Sequence, residues 1–284
     1  MKYFLFTLIF CLSLTSCEKE IPFDIDDDGK KLVLNSFIGP NMESVVVYLS
    51  QSQSVISSAP IQVISNATVT LFKNGNNLGN MASDGDGKFS LAHTPEAGAT
   101  YRVEAIAAGL DPVQAQTTIP IEPVIASVTA AELFEQEFSF ELVLSDNGNQ
   151  DNYYQLLLVI LDDFDGNPSI TGFSTNSPLL ADQGSPFGGE EDGTEFFFTD
   201  AFFTDDAFSG ESISLELSAS YPSSPTAIQY VSCTEEYYLY KLTLQNFYEN
   251  NGNPFAQPVQ IYSNIEGGLG IFAGYSFDQV NIFN

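Results

Sequence analysis

The chain has 284 residues, with eight Lys plus Arg against 37 Asp plus Glu, a formal net charge of −29 at pH 7. Such a chain repels phosphate backbones and anionic headgroups, which excludes nucleic-acid binding through a basic patch. Its 44% hydrophobic content, with 24 Phe and 13 Tyr, is too high for a disordered polyanion, and the length accommodates about two domains, each with its own core. One histidine and no tryptophan thin the catalytic options.

Met1-Lys2 is a short positive segment, and Tyr3 to Leu14 is an apolar run of about a dozen residues, the length of a signal-peptide core and too short for a membrane helix. The run ends in Leu14-Thr15-Ser16-Cys17, which resembles a bacterial lipobox, where small residues precede a cysteine that takes the lipid and becomes the mature N-terminus. Residues 1–16 are therefore read as a signal peptide and Cys17 as the lipidation site. The plainer alternative is a secretory signal with an incidental cysteine. After the signal, no stretch is long and apolar enough to span a bilayer. Cys11 leaves with the signal and Cys17 is acylated, so Cys233 stands alone and no intrachain disulfide is expected. As a nucleophile Cys233 would depend on His93, in another predicted domain, and a buried thiol is the simpler reading.

Residues 17–30 form an acidic tether. Glu18-Lys19-Glu20 and Asp24-Ile25-Asp26-Asp27-Asp28-Gly29 resemble the surface-export signals of Bacteroidota lipoproteins. Asp24, Asp26, Asp28 and Gly29 also fit the first half of an EF-hand loop, but the twelfth position is Asn35 where a bidentate Glu is needed, which favours a solvated linker.

The remainder reads as mainly β, with two sandwich-like domains over 31–119 and 124–284. In the first, Leu32 to Leu34, Ser44 to Leu49, Ala67 to Phe72, Lys88 to Leu91 and Tyr101 to Ala107 are strand candidates. Lys73-Asn74-Gly75 and Ser83-Asp84-Gly85-Asp86-Gly87 supply hairpin chemistry, since Asn, Asp and Gly tolerate positive φ. With Ala67-Thr68-Val69-Thr70-Leu71, Asp84 to Phe89, Gly98 to Val103 and Gly109, the stretch Asn66–Gly109 resembles a prealbumin-like or carboxypeptidase-regulatory-like module; the resemblance implies a structural or adaptor domain. Asp84 and Asp86 are calcium candidates, although a turn between strands already accounts for them. No other metal and no cofactor is expected. Asn66-Ala67-Thr68 matches a glycosylation acceptor that a bacterial lipoprotein does not use, and His93 reads as a loop residue.

Pro120 and Pro123 restrict the backbone at the domain boundary. Phe138 to Leu144 and Tyr153 to Leu161 read as strands, and 162–195 as a long loop of Gly, Ser, Pro, Asn and acids, either disordered or functional. Ser232-Cys233-Thr234-Glu235 fits a capping box for a helix over 233–250, with Tyr237, Tyr240, Leu244, Phe247 and Tyr248 at helical spacing and Gly252 as its stop. The stripe is expected to pack against a sheet.

Near the C-terminus come Asn253-Pro254-Phe255-Ala256-Gln257-Pro258-Val259 and Ser263-Asn264-Ile265-Glu266-Gly267-Gly268-Leu269-Gly270-Ile271-Phe272. With the lipobox, tether, module and helix, this run resembles an uncharacterised family of Bacteroidota outer-membrane lipoproteins, a domain of unknown function numbered four-two-four-nine. The resemblance extends from about Cys17 to Phe283. It implies a lipid-anchored outer-membrane protein, commonly encoded beside TonB-dependent transporters, with no established activity and no catalytic residues to carry over. Physically, the glycines lack a P-loop lysine and a following helix, so a tight turn or bulge that brings Ile271 and Phe272 into the core is the better reading than a phosphate loop.

The candidate contact surface is Phe196 to Gly210, where six Phe and three Asp exceed what one strand buries on one face. Phe196, Phe198, Phe202, Phe203, Asp200 and Asp205 are the candidates, against the plainer reading of a strand and loop packed by their own rings. The expected function is a non-catalytic binding lipoprotein of the outer membrane, exposed at the cell surface and working with a TonB-dependent nutrient transporter. The alternative is a structural or adhesive envelope protein. A carbohydrate-active hydrolase comes third: paired carboxylates suffice for that chemistry, but nothing marks a pair, and a lone His93 disfavours Ser-His-Asp catalysis.

Overall fold

The computed structural model describes residues 29–54, 59–134, 137–162, 167–181, 196–220, 224–250, 257 and 259–283. The signal peptide, Cys17, most of the tether, residues 163–166 and 182–195, Gly252, and Asn253–Ala256 lie outside the described residues.

The first half alternates buried and outward side chains with period two, the signature of strands that bury one face. It contains β1 (Leu32–Ile38), β2 (Ser44–Gln51), β3 (Gln62–Val63), β4 (Ala67–Lys73), β5 (Asn76–Asn80), β6 (Ala82–Gly85), β7 (Lys88–Ala92), β8 (Thr100–Ala107) and β9 (Val113–Thr118). The order β5-β4-β8-β9 forms one layer and β1-β2-β7-β6 belongs to the other. Leu32, Leu34, Val47 and Phe89 meet Val69, Leu71, Tyr101 and Val103 between them. The Asn74-Gly75 turn has both residues at positive φ, 48° and 80°, and Asp86 follows the same rule at 49°.

The second half contains β10 (Val124–Phe134), β11 (Glu137–Ser145), β12 (Tyr153–Ile160), β13 (Ser169–Thr171), β14 (Phe173–Thr175), the helical turn α1 (Pro178–Ala181), β15 (Phe196–Phe198), β16 (Ala201–Thr204), β17 (Ser212–Ser220), β18 (Thr226–Cys233), α2 (Glu235–Asn250) and β19 (Leu269–Phe283). A five-stranded layer, β10-β11-β17-β14-β15, faces β12, β16 and β18 across a core of Phe140, Leu142, Phe173, Leu215, Leu217, Tyr154, Leu156, Phe203 and Tyr230. The segment read as a structureless loop thus holds two short strands and a helical turn in its described part. Polar composition hid them, because β13 and β14 are each three residues long.

The two halves share a sheet. β19 runs parallel to β1 from Leu269 to Gly274, then antiparallel to β18 from Tyr275 to Phe283, so one ten-stranded sheet passes through both sandwiches. The glycines of the C-terminal segment exist for this seam. A Cβ at Gly268 or Gly270 would overlap Leu32 O or Leu34 O, and Gly270 also sits at φ +114°. Asn264 finishes the approach by pairing with both backbone groups of Phe272, at 2.9 and 2.8 Å. Ile271 and Phe272 are fully buried on opposite faces.

α2 covers the outer face of β12, β18 and β19, where Leu157, Val159, Val231, Ile271 and Ala273 meet Tyr237 and Tyr238. Because both faces of β12 are covered, its run Tyr153–Ile160 is buried almost throughout rather than alternately. The helix starts at Glu235, two residues later than the capping-box spacing predicts, and its cap is Thr234, whose Oγ1 accepts from Tyr237 N at 3.4 Å. Ser232 and Cys233 are unavailable for capping: they pair with Ser276 and Tyr275 in the sheet. Among the described residues no helix is long and apolar enough to cross a membrane.

Candidate functional site

The six phenylalanines between Phe196 and Phe208 divide among three environments. Phe198, Phe203 and Phe208 are buried in the second sandwich, with Phe196 partly buried beside them. Phe202 faces the opposite way and meets Tyr238 and Tyr237, at 6.1 and 6.5 Å between ring centres. Phe197 is 50% exposed. The chain crosses here from the five-stranded layer in β15 to the facing sheet in β16, under a helix, which accounts for this division and leaves Phe196, Phe203 and Phe208 serving packing.

The two aspartates also separate. Asp205 is buried and accepts from Asn152 N at 3.1 Å and Asn152 Nδ2 at 3.2 Å. It ties the turn after β16 to the loop before β12, where Asp146 accepts from Tyr154 Oη and from Gly210 N. Asp200 instead sits in the turn between β15 and β16, half-buried. Its Oδ1 accepts from Gln155 Nε2 at 2.6 Å, and Gln155 Oε1 in turn accepts from Tyr237 Oη at 2.9 Å. Desolvation raises the Asp200 carboxyl above the ordinary carboxylate range, and the Gln155 bond and the Lys241 charge only partly oppose it.

Asp200 opens on a cleft of about 410 Å³ between the β15–β16 connection and α2, within the size range of small-molecule sites. Phe197, Phe198 and Phe202 line the strand side, and Lys241, Leu244, Gln245, Tyr248 and Glu249 the helix side. The Lys241 ammonium lies 5.4 Å from the ring centre of Tyr237 and 5.6 Å from that of Phe37, both within cation–π range. Tyr248 is 65% exposed, so the aromatic stripe of α2 leaves the sheet at its C-terminal end and flanks the cleft.

Two other clefts are comparable in size. One, of about 360 Å³, lies on the five-stranded layer beside Glu141 and Glu216. The other, of about 560 Å³, lies under Pro120 and Ile121, beside Asp151 and Glu235. Their charged groups are all acidic. Of the three, the cleft beside α2 alone combines carboxylate, cation, amide and aromatic faces, and it is the candidate site.

Gln155, Tyr237, Lys241 and Tyr248 are absent from the sequence-based candidates. Lys241 carries a visible signal, being the only basic residue after Arg102. Gln155 carries none, since it sits in an otherwise apolar strand. Elsewhere, Cys233 is buried, donates its thiol to Tyr153 O at 3.5 Å, and is held protonated by desolvation. His93 Nε2 lies 3.0 Å from Tyr101 Oη. Asp84 accepts from Ser90 Oγ at 2.8 Å and faces Lys88 at 3.6 Å, while Asp86 holds a turn position. Among the described residues no three His, Cys, Asp or Glu side chains gather as a metal site.

A sequence profile of the family described as Domain of unknown function (DUF4249) matches residues 18–280. None of the curated proteins matches the chain. Among solved structures, a protein described as membrane anchored, from Corynebacterium diphtheriae, is 14% identical over 72% of this chain and 54% of its own, with a TM-score of 0.23. A Salmonella alpha-2-macroglobulin mutant is 17% identical over 72% of this chain and 13% of its own, with a TM-score of 0.25. A protein described as carbohydrate binding, from Bacteroides uniformis, is 8% identical over 89% of this chain and 99% of its own, with a TM-score of 0.22. The chain therefore spans about half of the first and a small part of the second, and similarity at these scores transfers no activity.

Proposed function

The chain belongs to that family, and we propose that it is a non-catalytic, lipid-anchored outer-membrane protein of a Bacteroidota cell. In this reading it holds a small ligand in the cleft between the β15–β16 connection and α2, on behalf of a TonB-dependent transporter. The observation that carries the proposal is the cleft itself: a carboxylate oriented by the Tyr237–Gln155 relay faces a lysine across aromatic walls. Its polar groups are few and positioned, as in sites that bind and orient. Glu249, the second carboxylate there, accepts from Gln245 Nε2 at 2.8 Å on the helix surface.

Anchoring rests on Leu14-Thr15-Ser16-Cys17, since multiple acyl chains at ~0.8 kcal/mol per buried CH₂ hold a protein stably on a membrane. The acidic surface, with its turns rich in Asp, keeps such a body solvated and off anionic headgroups. A structural or adhesive role has one observation in its favour, the ten-stranded sheet that makes the two halves continuous.

Affinity purification of the native chain from solubilised membranes tests the proposal, together with growth of a deletion strain on single nutrient sources. Co-purification of a β-barrel transporter is expected, with a growth defect that wild-type protein rescues and Tyr248→Ala rescues poorly. Recovery without any barrel partner, and no defect on any nutrient, would overturn it.

A further inference from the structure

Beyond Arg102 the chain has one fixed cation, Lys241, among many carboxylates. The other bases engage acids where the structure describes their pairing: Lys73 with Glu96, Lys88 with Asp84, and Arg102 with Glu104. Lys241 is different. Among the described residues no carboxylate lies within ion-pair distance of it, and its contacts are the rings of Phe37 and Tyr237. Asp200, in the same cleft, takes its hydrogen bond from a neutral amide rather than from a cation. Asp200 and Lys241 are therefore opposite charges in one cleft, on different elements, each held in place by neutral groups and neither joined to the other, while the third charge of the lining, Glu249, is engaged by Gln245 on its own helix.

We propose that the cleft binds a zwitterion of amino-acid type, whose carboxylate meets Lys241, whose ammonium meets Asp200, and whose apolar side chain lies among Phe202, Leu244 and Tyr248. This rests on the reading of the cleft as a ligand seat and names the ligand's chemistry. Three physical arguments support it. A ligand with both charges neutralises both protein groups at once, whereas a neutral sugar leaves each without an ionic partner. A net-neutral ligand feels no overall repulsion from a chain of −29, whereas a phosphate dianion is repelled and would find a single lysine. The walls that separate the two charges are aromatic and aliphatic, which suits an apolar side chain. Free amino acids and short peptides share this chemistry, and the length of the probe distinguishes them.

Calorimetric titration of the detergent-solubilised full chain tests the inference with phenylalanine, glycyl-phenylalanine, the N-acetylated and C-amidated forms of the dipeptide, and maltose. A zwitterionic probe is expected to bind, and blocking either end should weaken it about fivefold or more, as loss of an ion pair at a partly buried site does. Lys241→Met should abolish the preference over the amide, Asp200→Asn the preference over the acetylated form, and Lys241→Arg should keep both. Cooperative melting at or above the wild-type temperature in each variant, with Asp200→Asn expected above it because a desolvated carboxylate is removed, confirms that affinity, and not folding, is being read. Equal binding of blocked and free forms would overturn the inference. So would maltose binding that Tyr248→Ala abolishes, although that result would leave the seat itself standing. Absence of binding by every probe would also overturn it, while co-purification and growth rescue judge the seat independently.

Discussion

Three single substitutions of glycine by alanine separate backbone strain from close approach, and they test whether the seam between β1 and β19 is what requires the C-terminal glycines. Gly109 has φ +80° with open space around its missing Cβ. Gly109→Ala therefore incurs conformational strain alone, about 1–2 kcal/mol. Gly268 has no positive φ, but a Cβ there would overlap Leu32 O and press on Val113 Cγ1 at 2.6 Å. The carbonyl is fixed within β1, so relief means opening the parallel ladder. Overpacking and a lost ladder bond together cost about 2–4 kcal/mol. Gly270 combines both problems, with φ +114° and overlap with Leu34 O, and Gly270→Ala should cost about 3–5 kcal/mol. Urea unfolding followed by far-UV circular dichroism measures the series. With a slope of about 3 kcal/mol per molar, Gly270→Ala moves the midpoint down by about 1 M or more and Gly109→Ala by about half that or less. If Gly268→Ala and Gly270→Ala cost no more than Gly109→Ala, the close approach of β19 to β1 is not what holds the halves together.

Other outcomes follow from the same geometry. Phe203→Ala, deep in the second core, should destabilise by about 3–5 kcal/mol in urea titration, whereas Tyr248→Ala should leave the midpoint unchanged and remove ligand binding. Asn152→Ala removes the Nδ2 donor to buried Asp205 and leaves that carboxylate only the backbone N–H of residue 152, which loosens the loop at about 1–3 kcal/mol by the same assay. Asp200 has a folded-state carboxyl raised above its ordinary value, so the folded chain holds that proton more tightly than the unfolded one. Its contribution therefore falls as pH rises from the ordinary aspartate range through the raised value. Asp200→Asn should consequently be more stable than wild type at pH 7, with the difference shrinking as pH falls, and thermal melts across pH 3–8 measure this.

The strands of the first half are legible because each buries one face: Leu32, Leu34 and Ile38, or Tyr101, Val103 and Ala105, alternate in the sequence as they do in the structure. β5 and β6, written Asn-Asn-Leu-Gly-Asn and Ala-Ser-Asp-Gly, are edge-side strands held by pairing rather than burial, and their composition resembles turns. β19 escapes a local reading for another reason. Its glycines look like a turn until β1, more than two hundred residues earlier, is placed against them. The helix start shifts because Ser232 and Cys233 pair with β19, a tertiary competition that overrides capping chemistry. At the site, the phenylalanine-rich run points to the right segment, and of its named residues Phe198, Asp200 and Phe202 line the cleft while Phe196, Phe203 and Asp205 serve the core and a loop. Lys241 was visible as a solitary cation, but its meaning depends on Phe37, Tyr237 and Asp200 converging from three separate parts of the chain.

The most direct measurement of the central claim is amine labelling of the full chain, read by mass spectrometry at Lys241 with and without glycyl-phenylalanine. Lys88, on the first sandwich, serves as the internal control. The account predicts that ligand slows labelling of Lys241 severalfold in wild type, leaves Lys88 unchanged, and protects nothing in Tyr248→Ala. Equal labelling of Lys241 with and without the dipeptide, at concentrations where calorimetry shows binding, would place the ligand elsewhere and contradict the account.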